Sequence, residues 1–224
     1  MNGFESTLII GSSGGIGSAL ADHLGQAGCS VTTLSRSDDG LDVTDETSVA
    51  QFAKSLGGSF DLIFVATGGL ELDGHRPEKS VRAISAEAMN AQFAVNAIGP
   101  ALCMKHFSPL LAKDRQSVFA VLTAKIGSIE DNRLGGWISY RAAKAAANQI
   151  VKTASIELSR KNANSICVAV HPGTVRTTMT EKYVSSHKAE EPEKAAKNII
   201  NVLDGLTPED TGSFVAYDGT RLPW

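Results

Sequence analysis

The stretch that decides the fold is Thr7-Leu8-Ile9-Ile10-Gly11-Ser12-Ser13-Gly14-Gly15-Ile16-Gly17. Four consecutive apolar or β-branched residues read as a buried strand, and the glycines that follow let the backbone turn sharply where a Cβ would obstruct it. Ile16, Leu20 and Leu24 then recur at helical spacing, and Gly28 stands where a C′ glycine closes a helix. Strand, glycine turn and helix open a βαβ unit. Such a turn presents unpaired helix N–H groups and a positive dipole end to a phosphate.

Outward from this unit, further β-branched or apolar runs fall at residues 31–34, 61–66, 118–123, 165–171 and 213–217, with helical spacing between them. Runs that are apolar throughout, rather than alternating, suit a parallel sheet covered on both faces. The expected fold class is therefore α/β, a single doubly wound domain over residues 1–224. Long helices are expected at 88–111 and 137–160, and a polar substrate loop at 179–192.

The formal charge of −3 is spread along the 224 residues without a basic block, which argues against nucleic acid or an anionic membrane as partner and for small molecules. Cys29, Cys103 and Cys167 fit no metal or redox spacing and read as buried thiols of a reducing compartment. No basic region followed by an apolar stretch and a cleavage site opens the chain, and no apolar run approaches the roughly 20 residues of a membrane span. A cytoplasmic protein with no membrane partner is expected, and no metal.

The order Gly11, Gly15, Gly17, G-x-x-x-G-x-G, resembles the short-chain dehydrogenase/reductase family, a Rossmann-type fold. Three further segments carry the resemblance in the correct order. Asn96-Ala97-Ile98-Gly99 is similar to the family's Asn-x-x-Gly, Tyr140-Arg141-Ala142-Ala143-Lys144 to its Tyr-x-x-x-Lys, and Pro172-Gly173-Thr174-Val175-Arg176-Thr177 to its Pro-Gly turn. The segments Gly127-Ser128-Ile129 and Gly135-Gly136-Trp137, with the ending Asp218-Gly219-Thr220-Arg221-Leu222-Pro223-Trp224, resemble the C-factor-like branch.

Tyr140 and Lys144 lie four apart and so share one helical face. A phenol near pKa 10 beside an ammonium is expected to move toward neutral pH, where proton exchange is efficient. The resemblance implies that Tyr140 donates a proton to a carbonyl oxygen as hydride arrives from a nicotinamide. It also implies that Lys144 hydrogen-bonds the nicotinamide ribose, and that Asn96 holds a water linking Lys144 to solvent.

The family's catalytic serine has no direct counterpart, because Ala124 occupies its place. Either Thr123 or Ser128 could supply the hydroxyl, and Ser128 is favoured. A second departure is Val65-Ala66-Thr67-Gly68, where the family usually shows Asn-Asn-Ala-Gly.

NADP(H) is expected over NAD(H), because Ser35 stands where NAD-preferring members carry an acid, and Arg36 can accept a 2′-phosphate. The expected cofactor-binding set is Gly11, Ser13, Gly15, Ile16, Gly17, Ser35, Arg36, Asp42, Val43, Ala66, Thr67, Gly68, Tyr140, Lys144, Pro172, Gly173, Val175 and Thr177. Asp42 would accept from the adenine amino group. Trp137, Thr174 and Met179, with Leu134 and Ile138 nearby, are expected at the substrate, a small carbonyl compound or alcohol. The resemblance further implies a homodimer or homotetramer. The alternative reading is a nucleotide-binding signalling or interaction protein of the same fold with weak or no turnover.

Overall fold

The computed structural model describes residues 3–183 and 189–224. Six strands, β1 (Ser6–Ile10), β2 (Ser30–Leu34), β3 (Leu62–Val65), β4 (Ser117–Leu122), β5 (Ser165–His171) and β6 (Phe214–Ala216), form one parallel sheet in the order β2-β1-β3-β4-β5-β6. All six coincide with the apolar runs of the sequence to within two residues. The helices are α1 (Gly15–Gln26), α2 (Glu46–Ser55), α3 (Ala86–Phe93), α4 (Gly99–Phe107), α5 (Ile138–Lys161) and α6 (Pro192–Asp204).

The central strands are largely apolar because both faces of the sheet are covered there, whereas the edge strand β2 carries Ser30, Thr32 and Thr33 and is partly exposed. Ile9, Phe64, Ala120 and Val168 point into a core shared with Leu20, Leu24, Ile199 and Leu203 of α1 and α6. Their neighbours Leu8, Ile10, Ile63, Val65, Phe119 and Val121 point to the other core, with Val49, Phe107 and Val151 of α2, α4 and α5. Successive side chains of a strand face opposite ways, so a strand covered on both faces favours apolar residues along its length.

Helix α1 closes as its glycine suggested. Gly28 has φ 88°, Cys29 N donates to Leu24 O at 3.0 Å and Gly28 N to Gly25 O at 3.0 Å, the paired bonds of a Schellman motif.

One expectation needs correction. The helix expected over 88–111 is broken into α3, a π-helical turn Ala94–Ile98, α4 and a 3-10 turn Ser108–Leu110. Pro100 lacks the N–H that would bond four residues back to Asn96, so regular α geometry cannot run through this point. The loop expected at 179–192 is described in part. Its first turn is built on Thr177, whose carbonyl accepts from Thr180 N and Glu181 N, and the chain returns at Glu190, which pairs with Val175. Residues 184–188 of that loop lie outside the described residues.

β2 and β3 leave β1 on opposite sides, which opens a crevice at the carboxyl ends of β1 and β3 where the strand order reverses. Cys103 and Cys167 are buried, Cys29 is partly buried, and all three are free thiols. Among the described residues no helix is long and apolar enough to cross a membrane, and no cluster of side chains could hold a metal ion.

Candidate active site

The crevice holds two cavities, of about 320 and 280 Å³, that share Ser13, Gly14, Ala66, Thr67 and Gly68 in their walls. The glycine turn forms the floor between them. Gly11 adopts φ 91°, and a Cβ on it would stand 3.0 Å from the backbone of Ala66 and Thr67, so only glycine lets β1 and β3 end side by side. A Cβ on Gly17 would collide with the Gly11 carbonyl oxygen, and one on Gly15 would stand 2.9 Å from Thr177 Cγ2. The turn is therefore open toward the crevice, as close approach by a pyrophosphate requires.

The second cavity is walled by Ser35, Arg36, Ser37, Asp42, Val43 and Thr44. Ser35 N donates to Asp39 Oδ2 at 2.7 Å, and its hydroxyl to Asp38 Oδ2 at 2.9 Å. Asp42 Oδ1 accepts from Thr44 Oγ1 at 2.7 Å and Thr44 N at 2.9 Å, and these bonds hold its carboxyl below the ordinary range. Val43 packs on α4: a Cβ on Gly99 would lie 2.9 Å from Val43 Cγ2, which gives the glycine of Asn-x-x-Gly a packing reason.

The first cavity is walled by Tyr140, Lys144, Leu122, Thr123, Ala124, His171, Pro172, Gly173, Val175 and Met179, with the glycine turn. Tyr140 and Lys144 occupy the buried face of α5, with the ammonium 5.9 Å from the centre of the Tyr140 ring and donating to Leu122 O at 3.1 Å. Gly68 is flanked by Lys144 and Asn96, since its Cβ would lie 3.4 Å from Lys144 Nζ and 3.1 Å from Asn96 Oδ1. Asn96 is fully buried in the π turn, and its Nδ2 also donates to Gln92 Oε1 at 2.7 Å.

Burial governs the titration of the pair. It pushes the Tyr140 phenol up to about 12 and the Lys144 ammonium down to about 8. The expected lowering of the phenol is therefore absent in the protein alone, because loss of water opposes the phenolate more than this ammonium favours it. Tyr140 is a neutral phenol at physiological pH, the form that can donate a proton. His171 is likewise held neutral, pushed down to about 4 by burial and the Lys125 charge, and its Nδ1 accepts from Lys125 N at 3.2 Å.

Ser128 is not where its expected role requires. It is buried outside the cavity, where its Oγ donates to Trp224 O at 3.2 Å and accepts from Asp131 N at 3.1 Å. The hydroxyl that does reach the cavity wall is that of Thr123, buried and without a hydrogen-bond partner. Thr67 Oγ1, in both cavity walls, is also unpartnered. Buried polar atoms left unpaired cost stability, so these two fit a site completed by a polar ligand.

Of the expected substrate residues, Met179 lines the cavity, while Trp137 stands behind it with its ring edge-on to Tyr140 at 6.3 Å and to Tyr183 at 5.3 Å. Thr174 and Leu134 do not take the expected place. Thr174 is exposed and its carbonyl accepts from Glu190 N, and Leu134 is 92% exposed. The loop carrying Met179 is fastened across the mouth, where Tyr183 Oη donates to Glu71 Oε1 at 2.5 Å and Lys182 pairs with Glu71 Oε2 at 2.9 Å. Glu71, Glu78 and Arg141 escaped the sequence reading, because each acts through partners that only the folded chain brings near.

A parallel sheet with a glycine-floored crevice and a buried tyrosine and lysine on one helical face defines an oxidoreductase of dinucleotide-fold type. The chain belongs to the short-chain dehydrogenase family, whose model matches residues 5–188. It is 32% identical over 212 residues to 1-hydroxy-2-glutathionyl-2-methyl-3-butene dehydrogenase of Rhodococcus sp. (strain AD45), covering 93% of this chain and 88% of that protein. It is 32% identical over 136 residues to the C-signal protein of Myxococcus xanthus, covering 61% and 78%. Among solved structures, the NADPH-bound carbonyl reductase from chicken fatty liver superposes with a TM-score of 0.83 at 22% identity, covering 98% of this chain and 99% of that one.

Proposed function

We propose that this chain reduces a small aldehyde or ketone with NADPH, with Tyr140 as the proton donor. The observation that carries the reading is the neutral phenol of Tyr140, held beside Lys144 in one cavity with the unpartnered hydroxyl of Thr123. Gly11, Ser13, Gly15, Ile16 and Gly17 would receive the pyrophosphate, Asp42 and Val43 the adenine, and Ala66, Thr67 and Gly68 the ribose face. Pro172, Gly173, Val175 and Thr177 would border the nicotinamide. When bound, NADPH supplies the hydride that adds to the carbonyl carbon.

The phenol of Tyr140 gives its proton to the developing alkoxide, and Thr123 Oγ1 donates a second hydrogen bond to the same oxygen. Lys144, near neutrality in its buried setting, takes part in returning a proton to Tyr140, and Asn96 holds the Gly68–Gly69 backbone against it. NADPH is preferred over NADH because Arg36 and two serines, Ser35 and Ser37, wall the adenosine cavity while the Asp38 and Asp39 carboxylates are engaged by Ser35. A guanidinium and hydroxyls suit a 2′-phosphate. The NADPH-bound structural relative is in keeping with this preference.

The test is the replacement of Tyr140 by Phe. NADPH-dependent reduction across a carbonyl panel should fall by a factor on the order of 100 to 10,000, the usual share of a general acid, with NADPH binding retained. Substantial turnover in the variant would refute the mechanism.

A second reading, a nucleotide-binding signalling protein with weak turnover, is favoured by Ala124 in the serine's place and by the similarity to the C-signal protein. It predicts biological activity indifferent to Tyr140.

A further inference from the structure

The start of α5 is built in an unusual way. Gly135, Gly136 and Trp137 are three consecutive residues in the left-handed region, with φ of 62°, 66° and 53°. The third carries a bulky side chain, for which that region is disfavoured, and such strain persists only where the surroundings over-determine it. Trp137 is the N-cap of α5 and offers no side-chain acceptor to the helix.

The missing cap comes from 61 residues away. Glu78, in the segment between β3 and α3, is 6% exposed. Its backbone carbonyl accepts from Trp137 N at 2.5 Å, and its carboxylate accepts from Ser139 N at 3.2 Å and from the Ser139 hydroxyl. A buried carboxylate is costly to keep charged. Burial does raise this carboxyl, but the Ser139 hydroxyl and the N–H groups of Glu78, Ser139 and Ile138 outweigh it and leave it below the ordinary range. The helix N-terminus is where a carboxylate is best received.

From the other side, Arg141 donates to Gly136 O at 2.9 Å, to Gly135 O at 3.2 Å and to Ile126 O at 3.2 Å, so the turn is gripped from both ends. The consequence falls on Tyr140, one residue beyond Ser139, and on the indole of Trp137 that stands against its ring.

We propose that Glu78 is a positioning residue for Tyr140, its buried carboxylate fixing the first turn of α5 and the left-handed Trp137 so that the phenol is aimed into the cavity. This role rests on the reductase reading given above. An ordinary stabilising cap would change stability alone, whereas a positioning residue changes turnover without changing cofactor affinity.

The experiment uses the full chain with Trp224 replaced by Phe, which leaves Trp137 the sole tryptophan. Glu78→Ala is expected to lower kcat for NADPH-dependent carbonyl reduction by a factor on the order of 100, the scale of an ångström of misplacement, and to red-shift Trp137 emission. The Kd for NADPH should stay within about twofold, the pattern of an interaction used in turnover and not in cofactor binding. Glu78→Gln keeps an acceptor for the Ser139 N–H and should recover kcat to within about tenfold of the parent, one hydrogen bond's worth.

Should Glu78→Ala fail to fold, Glu78→Asp, which withdraws the carboxylate by one methylene, takes its place with the same two readouts. A folded Glu78→Ala or Glu78→Asp with unaltered kcat, or with unmoved Trp137 emission, overturns the proposal. A parent protein with no carbonyl reduction that Tyr140→Phe removes overturns the reductase reading itself, and the positioning role with it, a pattern distinct from an active parent indifferent to Glu78.

Discussion

Asn96 and Gly69 exchange two hydrogen bonds: Gly69 N donates to Asn96 Oδ1 at 3.2 Å, and Asn96 Nδ2 donates to Gly69 O at 2.8 Å. The pair closes the end of the segment after β3 onto the π turn and sets Gly68 between Asn96 and Lys144. Replacing Asn96 by Leu leaves a buried N–H and a buried carbonyl without partners, each costing about 1–3 kcal/mol. For a chain of this size that corresponds to a fall in melting temperature of roughly 5 °C or more. Thermal unfolding followed by circular dichroism checks it. A melting temperature unchanged by the substitution would mean that the pair contributes nothing.

The proposed mechanism gives Thr123 the role for which the sequence favoured Ser128, and their substitutions should separate cleanly. Thr123→Val removes a buried, unpartnered hydroxyl from the wall that Tyr140 shares, and should lower kcat by a factor on the order of 10 to 1,000, the range for a lost oxyanion donor. Ser128→Ala removes a bond to the Trp224 carbonyl and should cost about 1 kcal/mol of stability while kcat holds. Steady-state kinetics and urea unfolding on both variants decide the matter, and the reverse pattern would restore Ser128 to the site.

The contrast shows what the sequence could carry. The central strands were legible because a two-face apolar run has few other uses, the edge strand β2 by its β-branched residues, and the closing of α1 because Gly28 is a local signal. The glycine turn and the Tyr140–Lys144 pair were legible for the same reason, since their spacing alone puts them on one turn or one helical face. A kink at Asn96 is announced by Gly99-Pro100, yet apolar periodicity continues on both sides and suggests one long helix over 88–111. Which of the two open candidates, Thr123 or Ser128, follows β4 to the cavity wall is not a local property. It depends on Trp224 folding back onto the loop to take the Ser128 bond, a contact between residues 96 apart. Glu78 was hidden likewise, being one acid among many in a polar segment until the fold brings it to α5.

His171 supplies a pH dependence of stability. Its pKa in the folded protein is lowered from 6.5 to about 4, so below pH 6.5 the unfolded chain binds a proton that the folded one refuses. The neutral state's contribution is complete above 6.5 and is lost as pH falls through the window from 6.5 to about 4. Two features oppose protonation there: Nδ1 is occupied by the Lys125 N–H, and the ring is packed edge-on to Tyr217. In urea unfolding, stability should fall more steeply over that window in the parent than in His171→Gln. Parallel curves would mean that His171 titrates as it does in water.

Cofactor preference offers the last test, and it turns on Arg36. This side chain walls the cavity proposed for the adenosine beside Ser35 and Ser37, and no acidic residue of the described cavity wall stands there except Asp42, which is engaged by Thr44. A guanidinium paired with a phosphate contributes a charge-assisted bond of about 1.5–3 kcal/mol, equivalent to a factor on the order of 10 to 100 in affinity. Arg36→Ala should therefore raise the Kd for NADPH by that factor and leave the Kd for NADH nearly unchanged, because only the former carries the 2′-phosphate. Fluorescence titration with both nucleotides measures the ratio directly. The NADPH preference should also weaken in the parent as salt is raised, since exposed charge pairs are screened. Equal loss of both affinities would place Arg36 in general support of the cavity and would remove the argument for NADPH.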